Sequence, residues 1–551
     1  MKLNDKWFWF LGFTAVFAAL AGFVFWGTWS MDFAPVMPDC SIVHGPFDPV
    51  GTLRGMFASG KAVPADICEF LGSSYFWQEL QYALALYCAA LGMAYYCRGR
   101  GLSRLASYGS GLLLAFSGYW CTLFSAGHLG WFQWMIYGVF AFGLADRAVR
   151  KGKLRHWLLL GACIAWGSCH QPDLWLLFTL LTGAYFIWCC VRERKFPWKG
   201  AVLSAAVFLL VGAPHVRSAF VNDLAGRDKQ IAEGQTVSEK DKASGDEREK
   251  RWIFVTNWSL PPAESAEFFI PRLNGDTSCP MTLSLGARYG TGVKPYTGAL
   301  GRPKDAPAGN YRQHSLYVGF VTCLLALAGI IMGLLVREWG SGLPTACKRS
   351  AKSDILFFLG AAVLCWLFSM GRYCEPVYRV IFSLPFGDYL RAPVKWHHLT
   401  EFCICVLAGY GIEGLRSVRG LRSVRGAWIV GLIVLIGAID LARVDHLYCA
   451  PVDLREAKRQ NANFQMTFLR KQDFNNPQIA AMVRAKKIVA LAQPNPEMYL
   501  VGVLEPRGPK KDKPWPPMGL ATVLGLISLI ASVGVGTIAA TTLLRAGAKG
   551  F

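Results

Sequence analysis

The residues of this chain that could do chemistry stand at the ends of long apolar runs. Asp32 and Asp39 follow the first run in SMDFAPVMPDCSIVHGP, with His44 and Asp48 beyond them. A carboxylate at a bilayer edge can deprotonate a hydroxyl or ligate a metal beside a lipid-borne substrate. An acid there can equally be a hydrated marker of the outer side. Two tight turns supply a second set. SAGHLGW presents His128, and SCHQPDLW groups His170, Gln171 and Asp173. Two neutral histidines with an acid can hold a phosphate or a divalent metal ion, although no i,i+4 histidine pair fixes a metal site and interfacial histidines also cap helices. The third set is cationic: Arg217 beside His215, then Arg372 and Arg379, then Arg391 and Lys395 in FGDYLRAPVKWHHLTEF. Guanidinium forks onto phosphate oxygens, and Pro393 would fix the backbone presenting Arg391, so this set points to a phosphate-bearing ligand. Snorkelling beside Trp396 is its structural alternative.

These residues must be positioned by membrane helices. Of 551 residues 53% are apolar and 17% charged, and mean hydropathy is +0.31. A hydrocarbon core takes about 20 apolar residues per helix. Runs of that kind lie near 7–29, 75–97, 105–126, 131–146, 156–170, 173–191, 200–220, 315–336, 355–371, 399–415, 427–443 and 517–544. The pattern predicts an all-α polytopic membrane protein of about twelve spans and excludes a soluble enzyme, a disulfide scaffold and an outer-membrane barrel. The first run is too long for a cleaved signal peptide and has no small-x-small site, so it reads as an anchor.

A net charge of +21 invites a nucleic-acid reading, which the positions of the basic residues remove. They collect in alternate connections: Lys2 and Lys6; Arg98, Arg100 and Arg104; Arg147 to Arg155; Arg192 to Lys199; Arg337 to Lys352; Arg416 to Arg425; Arg545 and Lys549. By the positive-inside rule these face the cytoplasm, giving twelve spans with both termini on that side. The tandem LRSVRG at 415–420 and 421–426 then lies against acidic headgroups. The 17 cysteines show no zinc spacing. Most lie in spans as small apolar residues, while Cys40, Cys68, Cys279, Cys374 and Cys449 face outward.

The expected division is an N-terminal bundle, 1–220, whose first outer loop is 30–74; a large outer loop, 221–314; a second bundle, 315–443; a small outer segment, 444–516; and a final helix and tail, 517–551. Residues 222–251 carry fifteen charged side chains and read as a solvated, mobile excursion. From Trp252 the composition turns to aromatics, Pro and Gly, which predicts an ordered cap over 252–312 lying on the first loop and the turns at His128 and His170. No phosphate-binding loop, nucleophile elbow or dinucleotide fingerprint is present. On the residues alone, a membrane enzyme, a lipid or polysaccharide transporter or flippase, and a non-catalytic envelope assembly factor all stay open. The absence of an inverted or parallel repeat weighs against the transporter.

An ordered series of short motifs narrows this: the acidic first loop, Gly127-His128, His170 to Pro172, NWSLPPAESAEFFIPRLNG (Asn257 to Gly275) and PFGDYLRAPVKWHHLTEFCICVLAGYGIEGL (Pro385 to Leu415). From about residue 7 to 443 the series resembles the bacterial YfhO-type membrane proteins. Arg272 stands where their pattern commonly has Asn, and Lys395 where Arg is frequent. That family is similar in fold to the GT-C glycosyltransferases. The resemblance implies transfer of a sugar from a polyprenyl-phosphate donor to an envelope glycan or lipid acceptor, with Asp32 or Asp39 as base or metal ligand. His128, His170, Gln171, Asp173, Arg217, Arg391 and Lys395 would then bind substrate. A divalent metal ion is the cofactor such a site would admit.

Overall fold

The computed structural model describes residues 5–29, 33–35, 41–42, 50, 75–126, 129–170, 172–218, 247–275, 296, 312, 314–335, 345–384, 387–421, 423–449, 451–453, 455, 462–485, 487–495, 498–506 and 520–549. Although the run near 105–126 breaks after Ala115 into the short helix Gly118–Thr122 and the 3-10 segment Leu123–Ala126, twelve principal helices fall in the twelve apolar runs. They are α1 Asp5–Val24, α2 Tyr75–Gly99, α3 Arg104–Ala115, α4 Met135–Lys151, α5 Leu154–Ser168, α6 Pro172–Glu193, α7 Trp198–Ser218, α8 Phe320–Leu335, α9 Thr345–Ser369, α10 His397–Ser417, α11 Val424–Tyr448 and α12 Leu520–Lys549. Five of the described helices are long and apolar enough to cross a membrane by composition alone: α1, α2, α6, α9 and α11.

Local chemistry sets their ends. Ser103 caps α3 by accepting from the Ala106 N–H, and Ser423 caps α11 by accepting from Gly426. Gly152 ends α4 at φ +62°, a left-handed conformation that costs glycine nothing, and returns its N–H to the Ala148 carbonyl.

Large apolar side chains stand on the outward faces of the helices, where a water-soluble bundle carries polar ones. On α11, Trp428 is 72% and Leu432 57% exposed, while Asp445 on its inner side is fully buried. Such a surface suits hydrocarbon, and the molecule is a multi-pass membrane protein. Where lipid surrounds a bundle, close backbone approach replaces hydrophobic exclusion as the glue between helices. Helices α8 and α10 cross this way: a Cβ at Gly411 would lie 1.8 Å from the Leu325 carbonyl oxygen, and one at Gly329 would lie 2.3 Å from that of Leu407. One buried apolar cluster runs through helices of both halves of the chain. Helix α12 returns to the first half, where Ser528 Oγ donates to the Val211 carbonyl at 2.7 Å and Trp166 Nε1 to Ser532 Oγ at 3.1 Å.

Beyond one end of the bundle lies a small antiparallel β structure that the apolar runs give no sign of. Strand β1 (Phe33–Pro35), after α1, pairs with β3 (Pro451–Asp453), after α11. A four-stranded sheet follows in the order β2-β4-β6-β5, from Ser41–Ile42, Ala462–Arg470, Met498–Pro506 and Ile488–Asn495. The helix Pro477–Arg484 covers it, with Ile479 and Met482 packed on Ile488, Val501 and Val503. The expected small outer segment is therefore a folded unit stitched to the first loop.

The opposite end closes on buried charge. Arg100 donates to Asp146 Oδ1 at 3.0 Å and to Asp354 Oδ2 at 2.6 Å. Arg150 reaches Asp146 at 2.5 Å, Arg192 bridges both aspartates, and the Tyr410 hydroxyl donates to Asp354 at 2.9 Å. Arg100, Arg150 and Arg192, which stand among the basic connections, are paired with buried acids and tie α4, α6, α9 and α10 to the end of α2.

Most of the first loop and the turn at His128, the expected seat of the cap, lie outside the described residues. Helical structure begins at Glu247, inside the run expected to be mobile, and continues to Val255. The described part of the cap, 252–275, packs on residues 369–397. Trp252 meets Phe382 edge to face, Leu260 donates to the Ser369 carbonyl, and Phe268 stacks on His397.

Candidate functional site

The site begins at a backbone strap, 391–396, which feeds helix α10 at the sheet end of the bundle. The Ala392 N–H donates to the Val255 carbonyl at 3.0 Å, and the Val394 N–H to that of Trp258 at 3.1 Å. This lacing holds Ala392 at φ +62° and Trp258 at φ +58°, where an L side chain is strained and only surrounding structure keeps it. Pro393 then opens a tight helical turn whose third residue is Lys395.

Lys395 points inward. Its Nζ lies 2.5 Å from Asp173 Oδ2 and 5.3 Å from the centre of the Trp131 ring, and both charged side chains are nearly buried. Asp173 sits in the first turn of α6, where the helix dipole favours a carboxylate. His170, just before that helix, lies parallel to Tyr137 at 6.1 Å. Earlier on the strap, Arg391 places its guanidinium 4.6 Å from the Trp258 ring and 5.1 Å from that of Phe254. Both contacts are within cation–π range, so the two aromatic rings fix the position of the guanidinium on the strap.

Of the residues expected to form the site, the structure thus joins Asp173 to Lys395, with His170 on the same turn and Arg391 on the same strap. Asp32, Asp39, His128 and Gln171 lie outside the described residues, as do His44 and Asp48. Strand β1 starts immediately after Asp32, and the next strand, β2, starts shortly after Asp39. Arg217 falls in the last turn of α7. Arg372 is not placed as a phosphate ligand: it donates to the carbonyls of Thr256 and Ile253 and, at 3.0 Å, to Asn257 Oδ1, bracing the cap. Arg379 likewise lies 3.9 Å over the Trp252 ring and pairs with Glu375.

Two groups escape a reading by sequence. The first lies beneath the strap. His397 Nε2 is 3.1 Å from Glu401 Oε1, which also accepts the Tyr119 backbone N–H at 3.2 Å. The Tyr119 ring stacks on His314 at 3.8 Å and on His398 at 4.0 Å. His397, His398, Glu401 and Asp445 are all fully buried at this end. Among the described residues neither ring nitrogen of His398 nor either carboxylate oxygen of Asp445 has a geometrically satisfied hydrogen bond, and Cys121 faces Asp445. Ionisable groups at such depth are costly and mark function by default. The His397-His398 doublet was the available signal, but its partners come from segments hundreds of residues away.

The second group is in the cap. Arg312 forks onto Glu264 and Glu267, the latter contact at 2.5 Å, and Tyr296 donates to Glu264 at 3.2 Å. Burial pushes the Glu264 carboxyl above its usual range, against the opposing pull of Arg312. With Trp258, Ser259, Leu260 and Val394, these side chains line a narrow cleft beside the strap. Among the described residues, no three His, Cys, Asp or Glu side chains come together as a metal centre requires.

The arrangement offers a positive strap, a carboxylate set against it and an aromatic wall, which is equipment for an anionic headgroup at the membrane edge. No family model and no curated protein matches the chain. Among solved structures it is similar to ArnT from Cupriavidus metallidurans in the apo state, at 12% identity and a TM-score of 0.25, over 89% of this chain and 98% of that one.

Proposed function

We propose that this chain is a glycosyltransferase of the bacterial inner membrane, taking a sugar from a polyprenyl-phosphate donor and placing it on an envelope glycan or lipid acceptor. The observation that supports this best is the meeting of Asp173 and Lys395, 222 positions apart, at the rim of the bundle beside a strap that also carries Arg391. Of the motifs that resemble the YfhO-type proteins, Pro385 to Leu415 includes Lys395, and His170 to Pro172 ends immediately before Asp173. In this reading both termini are cytoplasmic and the sheet end faces outward.

The acceptor oxygen attacks the anomeric carbon, the bond from that carbon to the phosphate oxygen breaks, and polyprenyl phosphate leaves with the electron pair. The acceptor proton passes to Asp32 or Asp39, and the cations of Arg391, Lys395 and Arg217 stabilise the departing phosphate. His128, His170 and Gln171 line the donor and orient it, and Asp173 holds Lys395 beside it. Little covalent chemistry is left to the protein, because a phosphate ester is already a good leaving group and orientation supplies much of the rate.

The test compares envelope glycans and lipid-linked sugars in cells with and without the gene, then with Asp32→Asn and Asp39→Asn at normal expression. Loss of one glycan decoration and accumulation of one lipid-linked sugar is expected, reproduced by at least one Asn variant. Unchanged profiles in the deletion strain would overturn the enzymatic reading, and full complementation by both variants would remove the first-loop base.

A further inference from the structure

We infer that Asp173 is a built-in competitor for the donor phosphate, occupying on Lys395 the place that a phosphate oxygen takes when a lipid phosphate binds. This rests on the reading of the strap as a phosphate site. Lys395 has three N–H donors on a compact ammonium, and Asp173 Oδ2 takes one at 2.5 Å, the separation of a strong charge-assisted bond. Both side chains are about one-tenth exposed, so bulk water does little to weaken the contact. An incoming phosphate monoester has to displace or share that carboxylate. Its own negative charge is repelled as long as Asp173 stays in place.

The geometry gives the competition a direction. Asp173 lies in the first turn of α6, whose amide dipole stabilises the carboxylate after Lys395 is withdrawn. Lys395 stands at the turn entering α10, four residues after Arg391, so one strap carries both cations. Neutral lipids offer no anion to exchange, so the pair leaves their binding unchanged. Asp173 therefore sets affinity and selectivity at the rim, and its removal should strengthen binding. A purely structural salt bridge predicts the opposite.

The experiment uses the full chain in nanodiscs of zwitterionic lipid, titrated with a polyprenyl monophosphate, binding being read by native mass spectrometry and by tryptophan fluorescence. Asp173→Asn should bind the monophosphate about tenfold more tightly than the parent, the equivalent of losing one charge-assisted competitor. Lys395→Met should bind about tenfold more weakly, and Asp173→Glu should stay near the parent. Polyprenol without phosphate, run as the second arm, should bind all forms alike. If Asp173→Asn binds the monophosphate equally or less well while remaining monodisperse with a parental melting profile, the competitor role is overturned. If that variant is unstable, the Lys395→Met and Asp173→Glu pair decides: equal affinity in both overturns it. If the parent does not bind monophosphate in preference to polyprenol at all, the proposed donor class fails with it, an outcome distinct from the first.

Discussion

Replacing Asp354 by Asn tests whether the buried charge network carries the fold. Asp354 is fully buried and takes donors from Arg100 at 2.6 Å, from Arg192 and from Tyr410 at 2.9 Å. The amide keeps the shape and can still accept from tyrosine, but it leaves Arg100, Arg150 and Arg192 to share Asp146, with Glu193 as a further partner of Arg192 at 3.3 Å. Removing one member of a buried ion pair typically costs about 3–5 kcal/mol, because the partner's charge stays buried without compensation. Two arginines lose a partner here, so the upper part of that range is expected. Detergent titration of the purified protein in mixed micelles, followed by tryptophan fluorescence, would read the loss. The double change Arg100→Met with Asp354→Leu deletes one charge of each sign and should recover most of it, since an apolar replacement of a buried pair is often neutral. If Asp354→Asn alone lies within about 0.5 kcal/mol of the parent, the scale of a surface change, the network is not under charge stress and the reasoning fails.

Other outcomes follow from single positions. Ala392→Gly should raise the thermal midpoint, by the equivalent of about 0.5–1 kcal/mol, and Ala392→Val should lower it, because φ is +62° there; equal midpoints would show that the strap relaxes freely. Gly411→Ala would put a methyl 1.8 Å from the Leu325 carbonyl oxygen and should destabilise by at least about 1–3 kcal/mol as α8 and α10 part. A thiol crosslink between those helices that forms at an unchanged rate would contradict that. Reporter fusions at residues 100, 196 and 422 should all report one side of the membrane, and those at 60, 270 and 480 the other.

The helices were legible because twenty-residue apolar runs leave the chain few alternatives, and each run holds a principal helix. The seat of Lys395 opposite Asp173 was half legible: both residues stood out by type, but the contact itself is a property of two remote segments. Charge counting by side of the membrane gives no sign that Arg100 and Arg192 are paired, since it cannot see that Asp146 and Asp354 lie within reach. The sheet was hidden for a related reason. ANFQMTFLR alternates polar and apolar side chains as a half-covered strand should, but its edge partner, Ser41–Ile42, lies near the start of the chain. Trp258 at φ +58° could not be foreseen, as tryptophan is among the residues least expected there.

The stitching of first loop to last segment has a consequence in time. Thr28 and Cys449 meet at 3.8 Å although they are 421 positions apart, and β1 and β2 find their partners only in β3 and β4. At roughly 5–20 residues per second of synthesis, the first strands wait about 20–80 s for their partners to be made. Throughout that interval the loop bearing Asp32 and Asp39 lacks the β3 and β4 pairing of the finished fold. Two carboxylates read as catalytic therefore gain that framework only when the chain is nearly complete, so a truncated product would insert its helices without the pairing that frames them.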